Sequence, residues 1–273
     1  MAKTTDPLET ALDAYCDLMV RTLTNLVYLD PEQTRRPRMA HDLYRNIVNE
    51  TPGARLRRER RRAQGRDWPV FAHSMAGYYR LTNLSRCVRQ VIKDDVPGDF
   101  IETGVWRGGA SILMRGVSNL AGGADRKVYL ADSFEGLPPP DLENFPQDEG
   151  DKLYLFKEQL GISEEKVRKN FETYNLLDDN VVFVKGWFKD TLPTLEADQF
   201  AIVRLDGDMY ESTIQAIEAL YPKLSPGGYL IVDDYGAIAQ CRQAIGEYRE
   251  KHGITEPLTK IDWTGMYWRK AFD

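Results

Sequence analysis

The sequence contains few cysteines and histidines and no long apolar run. Among its 273 residues are three cysteines, Cys16, Cys87 and Cys241, and three histidines. The cysteines are far apart and lack metal-type spacing, so neither a disulfide framework nor a zinc site is expected. No run approaches the ~18 apolar residues of a membrane span, and the N-terminus carries acids where a signal peptide would be basic. These absences predict a soluble cytoplasmic protein with no membrane partner.

Positive charge is also in deficit. The formal net charge is -6, with 36 lysines and arginines against 42 acids. Because nucleic-acid affinity rests on cations that neutralise phosphates, this balance argues against nucleic acid and favours small-molecule partners. Residues 55–66 are an exception with seven arginines. We interpret them as a solvated helix or mobile loop; a nucleic-acid or phosphate patch is the alternative.

Short apolar segments alternate with helical patterns after Tyr78. Strand-like segments rich in branched and aromatic residues occur at 99–103, 127–131, 181–185, 200–205 and 228–232. Helical patterns lie between them, at 109–121, 163–176 and 212–224. This alternation predicts an α/β fold in which helices cover both faces of a parallel sheet. Residues 266–269 (MYWR) are predicted to form a final, antiparallel edge strand.

Two segments fall outside this alternation. Residues 8–29 have the apolar spacing of an amphipathic helix, which is expected to pack on the core or on a second subunit. Self-association, with a homodimer as the commonest closed form, is therefore expected. The connection 138–179 is longer than a usual crossover, and a lid and a merely decorative insertion both remain open. We divide the chain into an N-terminal helical segment, 1–72, and a main α/β domain, 73–273, that includes the insertion at about 138–179.

A glycine-containing turn follows the first strand. In 99–111 (DFIETGVWRGGAS), Gly104, Gly108 and Gly109 connect this strand to a helix, an arrangement that presents backbone N–H groups to a ligand. The spacing G-x-x-x-G-G differs from the G-x-G-x-x-G of dinucleotide binders, whose second glycine touches a pyrophosphate. Trp106 occupies that position here. Its bulk disfavours a pyrophosphate and favours a nucleoside without phosphate, such as S-adenosylmethionine.

Other strand ends carry further candidate cofactor contacts. Asp132 ends the second strand, where a carboxylate can accept hydrogen bonds from two ribose hydroxyls; a capping aspartate is the alternative. Glu102 is expected to face the aminoacyl end of the cofactor. Gly186, Trp187 and Phe188 follow the third strand and could close over an adenine by stacking and backbone contact.

Acidic residues end two more strands. Asp206 and Asp208 follow the fourth strand, and Asp233 and Asp234 follow the fifth. Because ligands bind at the carboxyl ends of parallel strands, Asp206, Asp233 and Asp234 should meet in one crevice, where their charges would repel. All-oxygen ligation favours Mg²⁺. Capping of the following helices is the alternative, and for Asp208 the two roles stay equally open.

A metal beside a methyl donor suggests methyl transfer to a hydroxyl. A bound dication lowers the pKa of a hydroxyl and holds its oxygen in line with the methyl group. Asp206 is the predicted general base, with Asp208 and His73 as other candidates and His41 and His252 less favoured. A dinucleotide-dependent oxidoreductase and a non-catalytic cofactor-binding protein remain as alternatives.

Several long motifs carry a resemblance to one family. They are DFIETGVWRGGASILMRGV, VYLADSFEGLPPPD, KGWFKDTLP, VRLDGDMYEST, LSPGGYLIVDDYG and IDWTGMYWR. They resemble the macrocin O-methyltransferase (TylF) family from about His73 to Lys270, while the segment before His73 matches poorly. This departure leaves the identity of the acceptor open.

The resemblance implies a class I methyltransferase that uses S-adenosyl-L-methionine and Mg²⁺. The implied fold is a Rossmann-like doubly wound, mostly parallel seven-stranded sheet with an antiparallel edge strand, and the implied acceptor is a sugar hydroxyl of a glycosylated natural product such as an antibiotic. The implied metal ligands are Asp206, Asp233 and Asp234. The implied cofactor-binding residues are Met75, Glu102, Thr103, Gly104, Ser111, Asp132 and Ser133, together with Gly186, Trp187 and Phe188.

Overall fold

Five apolar segments form a parallel sheet in the computed structural model, which describes residues 6–30 and 51–272. The strands are β1 (Asp99–Thr103), β2 (Val128–Asp132), β3 (Val181–Lys185), β4 (Phe200–Leu205) and β5 (Leu224–Val232). β1 pairs with β2 and β4, β2 with β3, and β4 with β5, all in parallel. The predicted strands are thus confirmed, although β5 begins at Leu224 rather than at residue 228.

Two further strands complete one side of the sheet. β6 (Thr259–Lys260) and β7 (Met266–Arg269) are antiparallel to each other, and β7 is antiparallel to β5. The order is β3-β2-β1-β4-β5-β7-β6. The predicted seven-stranded sheet with an antiparallel strand at this edge is confirmed, and 266–269 is antiparallel to β5. The two exposed residues of β6 add a second, outermost antiparallel strand that was not predicted.

Helices cover both faces of the sheet, as the alternation predicts. They are α1 (Pro7–Leu23), α2 (Pro52–Ala63), α3 (Gly77–Lys93), α4 (Gly109–Ala121), α5 (Lys157–Leu160), α6 (Glu164–Thr173), α7 (Phe188–Thr191), α8 (Tyr210–Leu220) and α9 (Ala239–Lys251). Short 3₁₀ turns lie at Pro146–Asp148, Leu153–Phe156 and Tyr221–Lys223. One apolar core packs α1, α3, α4 and α6 against the sheet, and a second packs α8 and α9 against the other face. No helix in the described ranges is long and apolar enough to cross a membrane.

The N-terminal helix is part of the core. Met19, Val20 and Leu23 of α1 are buried against α3 and α4. Of the two predicted environments for this helix, packing on the core is therefore observed. Arg89 of α3 also pairs with Glu9 of α1 at 2.6 Å.

The arginine-rich segment forms α2, and most of its arginines face solvent as predicted. Arg62 is an exception, since its side chain is 1% exposed. It donates to the carboxylates of Asp30 at 2.6 Å and Asp67 at 2.8 Å. The expectation of a wholly solvated segment was wrong at this residue, because two buried carboxylates compensate the guanidinium charge.

Candidate active site

Backbone hydrogen bonds continue the sheet past the strand ends into the segments that carry the acids. The Asp206 N–H donates to the Thr103 carbonyl at 2.9 Å, and the Asp233 N–H donates to the Leu205 carbonyl at 2.9 Å. The residues after β1, β4 and β5 are thereby fixed side by side at the same edge of the sheet.

Asp206, Asp233 and Asp234 come together at this edge, as the sequence predicts. One carboxylate oxygen from each lies within 4.8 Å of the others. The Oδ2 atom of Asp234 is buried and has no hydrogen-bond partner. A buried, unpartnered carboxylate oxygen is unfavourable, and a hard cation with oxygen ligands relieves it. The donor set therefore fits Mg²⁺.

The helix that follows β4 is capped from a distant part of the chain. The Tyr210 and Glu211 N–H groups donate to the two carboxylate oxygens of Asp148, at 2.7 and 3.0 Å. Asp148 belongs to the long connection between β2 and β3. The capping alternative was therefore wrong for Asp206 and Asp208.

The side chain of Asp234 does not cap the following helix either. Its backbone carbonyl accepts from the Ala237 and Ile238 N–H groups, whereas α9 begins without a side-chain cap. The carboxylate of Asp234 is thereby left to face the cavity, which it lines together with Asp208.

Two buried arginines, which sequence reasoning missed, hold these carboxylates. Arg204 is 3% exposed and donates to Glu102 Oε1 at 2.6 Å and to Asp206 Oδ2 at 2.7 Å. It also donates to Asp233 Oδ1, while Arg80 donates to Asp233 Oδ2. Side chains two residues apart in a strand share a face, so the spacing of Arg204 and Asp206 was a usable signal. Glu102 is the register partner of Arg204 on β1.

The surroundings of the carboxylates raise their pKa values. Burial, and then the charge of Asp233, raises the pKa of Asp206. Burial and neighbouring carboxylates hold the pKa values of Asp208 and Asp234 well above the ordinary range. Burial raises the pKa of Glu102 to about 7, against the opposing charge of Arg204. Burial is the main cause of each shift, and the mutual repulsion of Asp206, Asp208, Asp233 and Asp234 adds to it.

A cavity of about 500 Å³ extends from these acids to the glycine turn. This size suits a small-molecule ligand. The predicted cofactor residues that line it are Met75, Glu102, Gly104, Asp132, Ser133, Gly186, Trp187 and Phe188. Thr103 and Ser111 lie behind it instead: the Thr103 hydroxyl donates to the Arg204 carbonyl at 3.4 Å, and the Ser111 hydroxyl donates to Glu102. These two residues support the lining.

Gly104 brings the glycine turn against the acidic strand end. Its φ is +82°, and an added Cβ would overlap the backbone carbonyl of Asp206. A side chain is excluded here on both counts. Trp106 has a φ of +47° and donates through Nε1 to the Gln159 carbonyl at 2.9 Å. The bulky residue of the turn therefore contacts the connection between β2 and β3.

Asp132 holds the glycine turn in place. Its Oδ2 accepts from the Val105 N–H and its Oδ1 accepts from the Phe134 N–H, each at 2.7 Å. Burial raises its pKa despite these bonds. The local backbone-bonding role is thus observed, and the ribose contact remains a prediction.

The two histidines within the described residues, His73 and His252, are packed or peripheral. His73 Nδ1 lies 2.8 Å from the Tyr174 hydroxyl. Burial, and then the charges of Arg107 and Lys166, lowers the pKa of His73 to about 4. His252 packs on Tyr248 with ring centroids 4.3 Å apart. His41 lies outside the described residues. These environments favour Asp206 over the histidines as the base.

A family model described as Macrocin-O-methyltransferase (TylF) matches residues 12–270. The match begins inside α1, so the expectation that the segment before His73 matches poorly was wrong. The reason is physical, because α1 packs on α3 and α4 and belongs to the same folded unit.

Curated relatives and solved structures agree with this match. A Streptomyces olivaceus 8-demethyl-8-(2,3-dimethoxy-alpha-L-rhamnosyl)-tetracenomycin-C 4'-O-methyltransferase is 48% identical, over 96% of this chain and 94% of the relative. A Streptomyces niveus demethyldecarbamoylnovobiocin O-methyltransferase is 46% identical, over 94% and 93%. The structure of the O-methyltransferase NovP covers 95% of this chain and 99% of that chain, with a TM-score of 0.85 and 45% identity.

Proposed function

Because the chain belongs to the macrocin O-methyltransferase (TylF) family, we propose that it methylates a sugar hydroxyl of a glycosylated natural product with the assistance of Mg²⁺. That it is an S-adenosylmethionine-dependent O-methyltransferase follows from the family and its relatives. The oxidoreductase and non-catalytic alternatives are thereby ruled out. The three clustered carboxylates of Asp206, Asp233 and Asp234 are the observation that carries the metal part of the proposal.

The cofactor lies across the ends of β1, β2 and β3 in this proposal. Gly104 presents the backbone of the turn, Asp132 contacts the ribose, and Glu102 faces the aminoacyl end. Met75, Thr103, Ser111, Ser133, Gly186, Trp187 and Phe188 complete or support this part of the site. The cofactor supplies the methyl group as a sulfonium, whose positive charge suits the carboxylates near Glu102.

Asp206, Asp233 and Asp234 hold the metal in this proposal. Bound Mg²⁺ would supply a Lewis acid that makes the acceptor hydroxyl easier to deprotonate. The side chain of Asp206 is 28% exposed, against 5% for Asp233, so it is the more accessible of the two. Its Oδ2 accepts a hydrogen bond from Arg204, and in this proposal the Asp206 carboxylate also takes the hydroxyl proton. As the O–H bond breaks, the O–CH₃ bond forms and the S–CH₃ bond breaks, giving S-adenosylhomocysteine.

The acceptor occupies the apolar part of the cavity in this proposal. Trp68, Leu137, Pro138, Leu160 and Trp263 line that part. Aromatic and apolar walls suit the faces of a sugar ring and of an aglycone. The name of one relative specifies methylation of a rhamnosyl tetracenomycin, which supports a glycosylated acceptor.

The domain division and cellular setting are also proposals. The N-terminal segment 1–72 supplies Gly65, Asp67 and Trp68 to the cavity wall, which supports a role in shaping the acceptor site beside the catalytic domain 73–273 and its lid 138–179. The free, buried cysteines fit a reducing cytoplasm. A homodimer or higher homo-oligomer is part of the proposal, with the exposed Leu8 and Leu18 of α1 as candidate contacts.

Methyl transfer to a panel of glycosylated antibiotic intermediates, followed by mass spectrometry, tests this function. We expect wild type to add one methyl group to a sugar of at least one acceptor. Chelation should abolish the activity and Mg²⁺ should restore it. Asp206→Asn should lower kcat by about 10²–10⁴-fold, the range for loss of a general base.

Asp198→Asn is the matched control, since Asp198 is exposed at the opposite end of β4. It should retain wild-type kcat. Activity that survives both chelation and Asp206→Asn would refute metal assistance and the role of Asp206. Failure of every glycosylated acceptor, with turnover of an unglycosylated one, would refute the proposed substrate class.

A further inference from the structure

Arg80 lies where three segments around the cavity meet. Its side chain, on α3, is 6% exposed. One Nη donates to Asp233 at the end of β5, and the other donates to the Gly65 carbonyl at 3.3 Å. Its Nε lies 3.2 Å from Oδ2 of Asp262, in the loop between β6 and β7. A single guanidinium thus joins a predicted metal ligand, the N-terminal segment and this loop.

Glycines make room for this side chain. A Cβ on Gly265 would lie 2.9 Å from both Cγ and Cδ of Arg80, and a Cβ on Gly65 would overlap an Arg80 Nη. Gly77, with a φ of +78°, packs against the backbone of Gly65 in turn. Such close packing fixes the path of Arg80 as well as its charge.

The segments that Arg80 joins form one wall of the cavity. Gly65 and Trp263 both line it. The Trp263 Nε1 donates to the Gln64 carbonyl at 2.7 Å, and the Arg66 guanidinium lies 4.1 Å from the centroid of the Trp263 ring. We call residues 64–68 and 262–265 the acceptor wall. The wall is internally bonded, and Arg80 bonds it to the sheet.

We infer that Arg80 is a positioning residue that couples the metal site to the acceptor wall. Asp233 is held on one oxygen by Arg204 and on the other by Arg80, so its orientation depends on where Arg80 lies. Arg80 in turn is held by Gly65 and Asp262. Coupling between sites is reciprocal, so a cation bound at Asp233 should order the acceptor wall, and a displaced wall should weaken cation binding.

The inference rests on the proposed metal site, and it predicts effects on metal affinity and wall mobility. Arg80→Lys keeps the charge but not the forked donor geometry. Gly265→Ala keeps every charge and displaces the Arg80 side chain sterically, at a residue whose backbone accepts alanine. Arg86→Lys and Gly246→Ala are matched controls, since Arg86 is exposed on α3 and Gly246 has open space around it on α9.

The experiment measures Mg²⁺ affinity by calorimetry in the presence of S-adenosylhomocysteine, and amide hydrogen exchange of the acceptor wall with and without Mg²⁺. In wild type, Mg²⁺ should slow exchange in 64–68 and 262–265. Arg80→Lys and Gly265→Ala should weaken Mg²⁺ binding by about tenfold, as for other residues that orient metal ligands, and should lose the exchange response. Their KM for the acceptor should rise more than their affinity for S-adenosylhomocysteine changes.

The outcomes separate this inference from the proposed function. Wild type that binds no Mg²⁺ would overturn both. Wild type that binds Mg²⁺, with both variants binding it equally well and retaining the exchange response, would overturn the role of Arg80 alone. If Arg80→Lys does not fold, Gly265→Ala decides the matter, because it removes no charged group.

Discussion

At the scale of single residues, environment decides which side chain can accept a proton. His73 and Asp206 both line the cavity, yet burial and nearby cations lower the pKa of His73 to about 4, whereas burial and a neighbouring carboxylate raise that of Asp206. A base whose pKa rises toward neutrality takes a proton more readily than one whose pKa falls away from it. The roles of these two residues should therefore separate on mutation.

His73→Gln should leave most of the activity in place. We expect kcat to fall by much less than the roughly 10²–10⁴-fold loss that removal of a general base causes. Glutamine can still hydrogen-bond the Tyr174 hydroxyl that contacts His73. His252→Gln, at the exposed histidine after α9, is the control. A loss of kcat as large as that of Asp206→Asn would assign the proton transfer to His73.

The same substitution should reduce the acid sensitivity of folding. The pKa of His73 falls from 6.5 to about 4 on folding. Between these two pH values, His73 binds a proton in the unfolded chain but not in the folded chain. Stability is therefore lost as the pH falls through the window. The full pKa shift corresponds to a change of about 3 kcal/mol in the free energy of unfolding, and the partial exposure of His73 reduces this change to about 1 kcal/mol. Urea unfolding should show that the free energy of unfolding differs less between pH 7 and pH 5 for His73→Gln than for wild type. An equal difference for the two proteins would contradict the buried environment assigned to His73.

At the scale of elements, the connection between β2 and β3 is bonded to α8, the helix that follows β4. Asp148 is fully buried and caps α8 through both carboxylate oxygens. The same connection contributes Leu137, Pro138 and Leu160 to the cavity. This arrangement supports the lid interpretation of 138–179 over the decorative one.

Loss of this cap should destabilise the protein. Asp148→Ala should cost about 1–2 kcal/mol, the upper range for a helix cap, because two N–H groups lose their partners. Asp148→Asn should cost less, since asparagine also caps helices well. Asp179→Ala, at an exposed aspartate of the same connection, is the control. Urea unfolding measures all three, and an Asp148→Ala protein as stable as the control would contradict the anchoring role.

The sequence predicts elements where a local pattern is strong. β1, β3, β4 and β7 have the predicted bounds because apolar segments flanked by polar residues are readable without the fold. β6 was missed because its two residues, Thr259 and Lys260, are both exposed and carry no apolar signal. The start of β5 was missed because Ser225, Pro226 and Gly227 read as a turn, although Leu224 pairs with Phe200 of β4.

The sequence predicts less about the residues that hold the site together. Asp206, Asp233 and Asp234 were found because strand ends share one edge of a parallel sheet. Arg80 and Asp148 were missed because their partners are 153 and 62 residues away along the chain, beyond any local pattern.

At the scale of the whole molecule, the fold gathers more negative than positive charge at one edge of its sheet. The carboxylates there are those of Glu102, Asp206, Asp208, Asp233, Asp234 and Asp262, and the buried guanidinium groups among them are those of Arg80 and Arg204. Concentrated like charge is costly unless cations are bound. In the proposed function, a divalent metal and the sulfonium of the cofactor would both supply positive charge at this edge of the sheet.

A crystal structure grown with Mn²⁺ and S-adenosylhomocysteine tests this account most directly, since Mn²⁺ takes oxygen ligands like Mg²⁺ and gives an anomalous signal. The account predicts one anomalous peak bound by the carboxylates of Asp206, Asp233 and Asp234, with S-adenosylhomocysteine beside Gly104. An occupied cofactor site with no peak between these three carboxylates, or with the carboxylates turned away from one another, would contradict it.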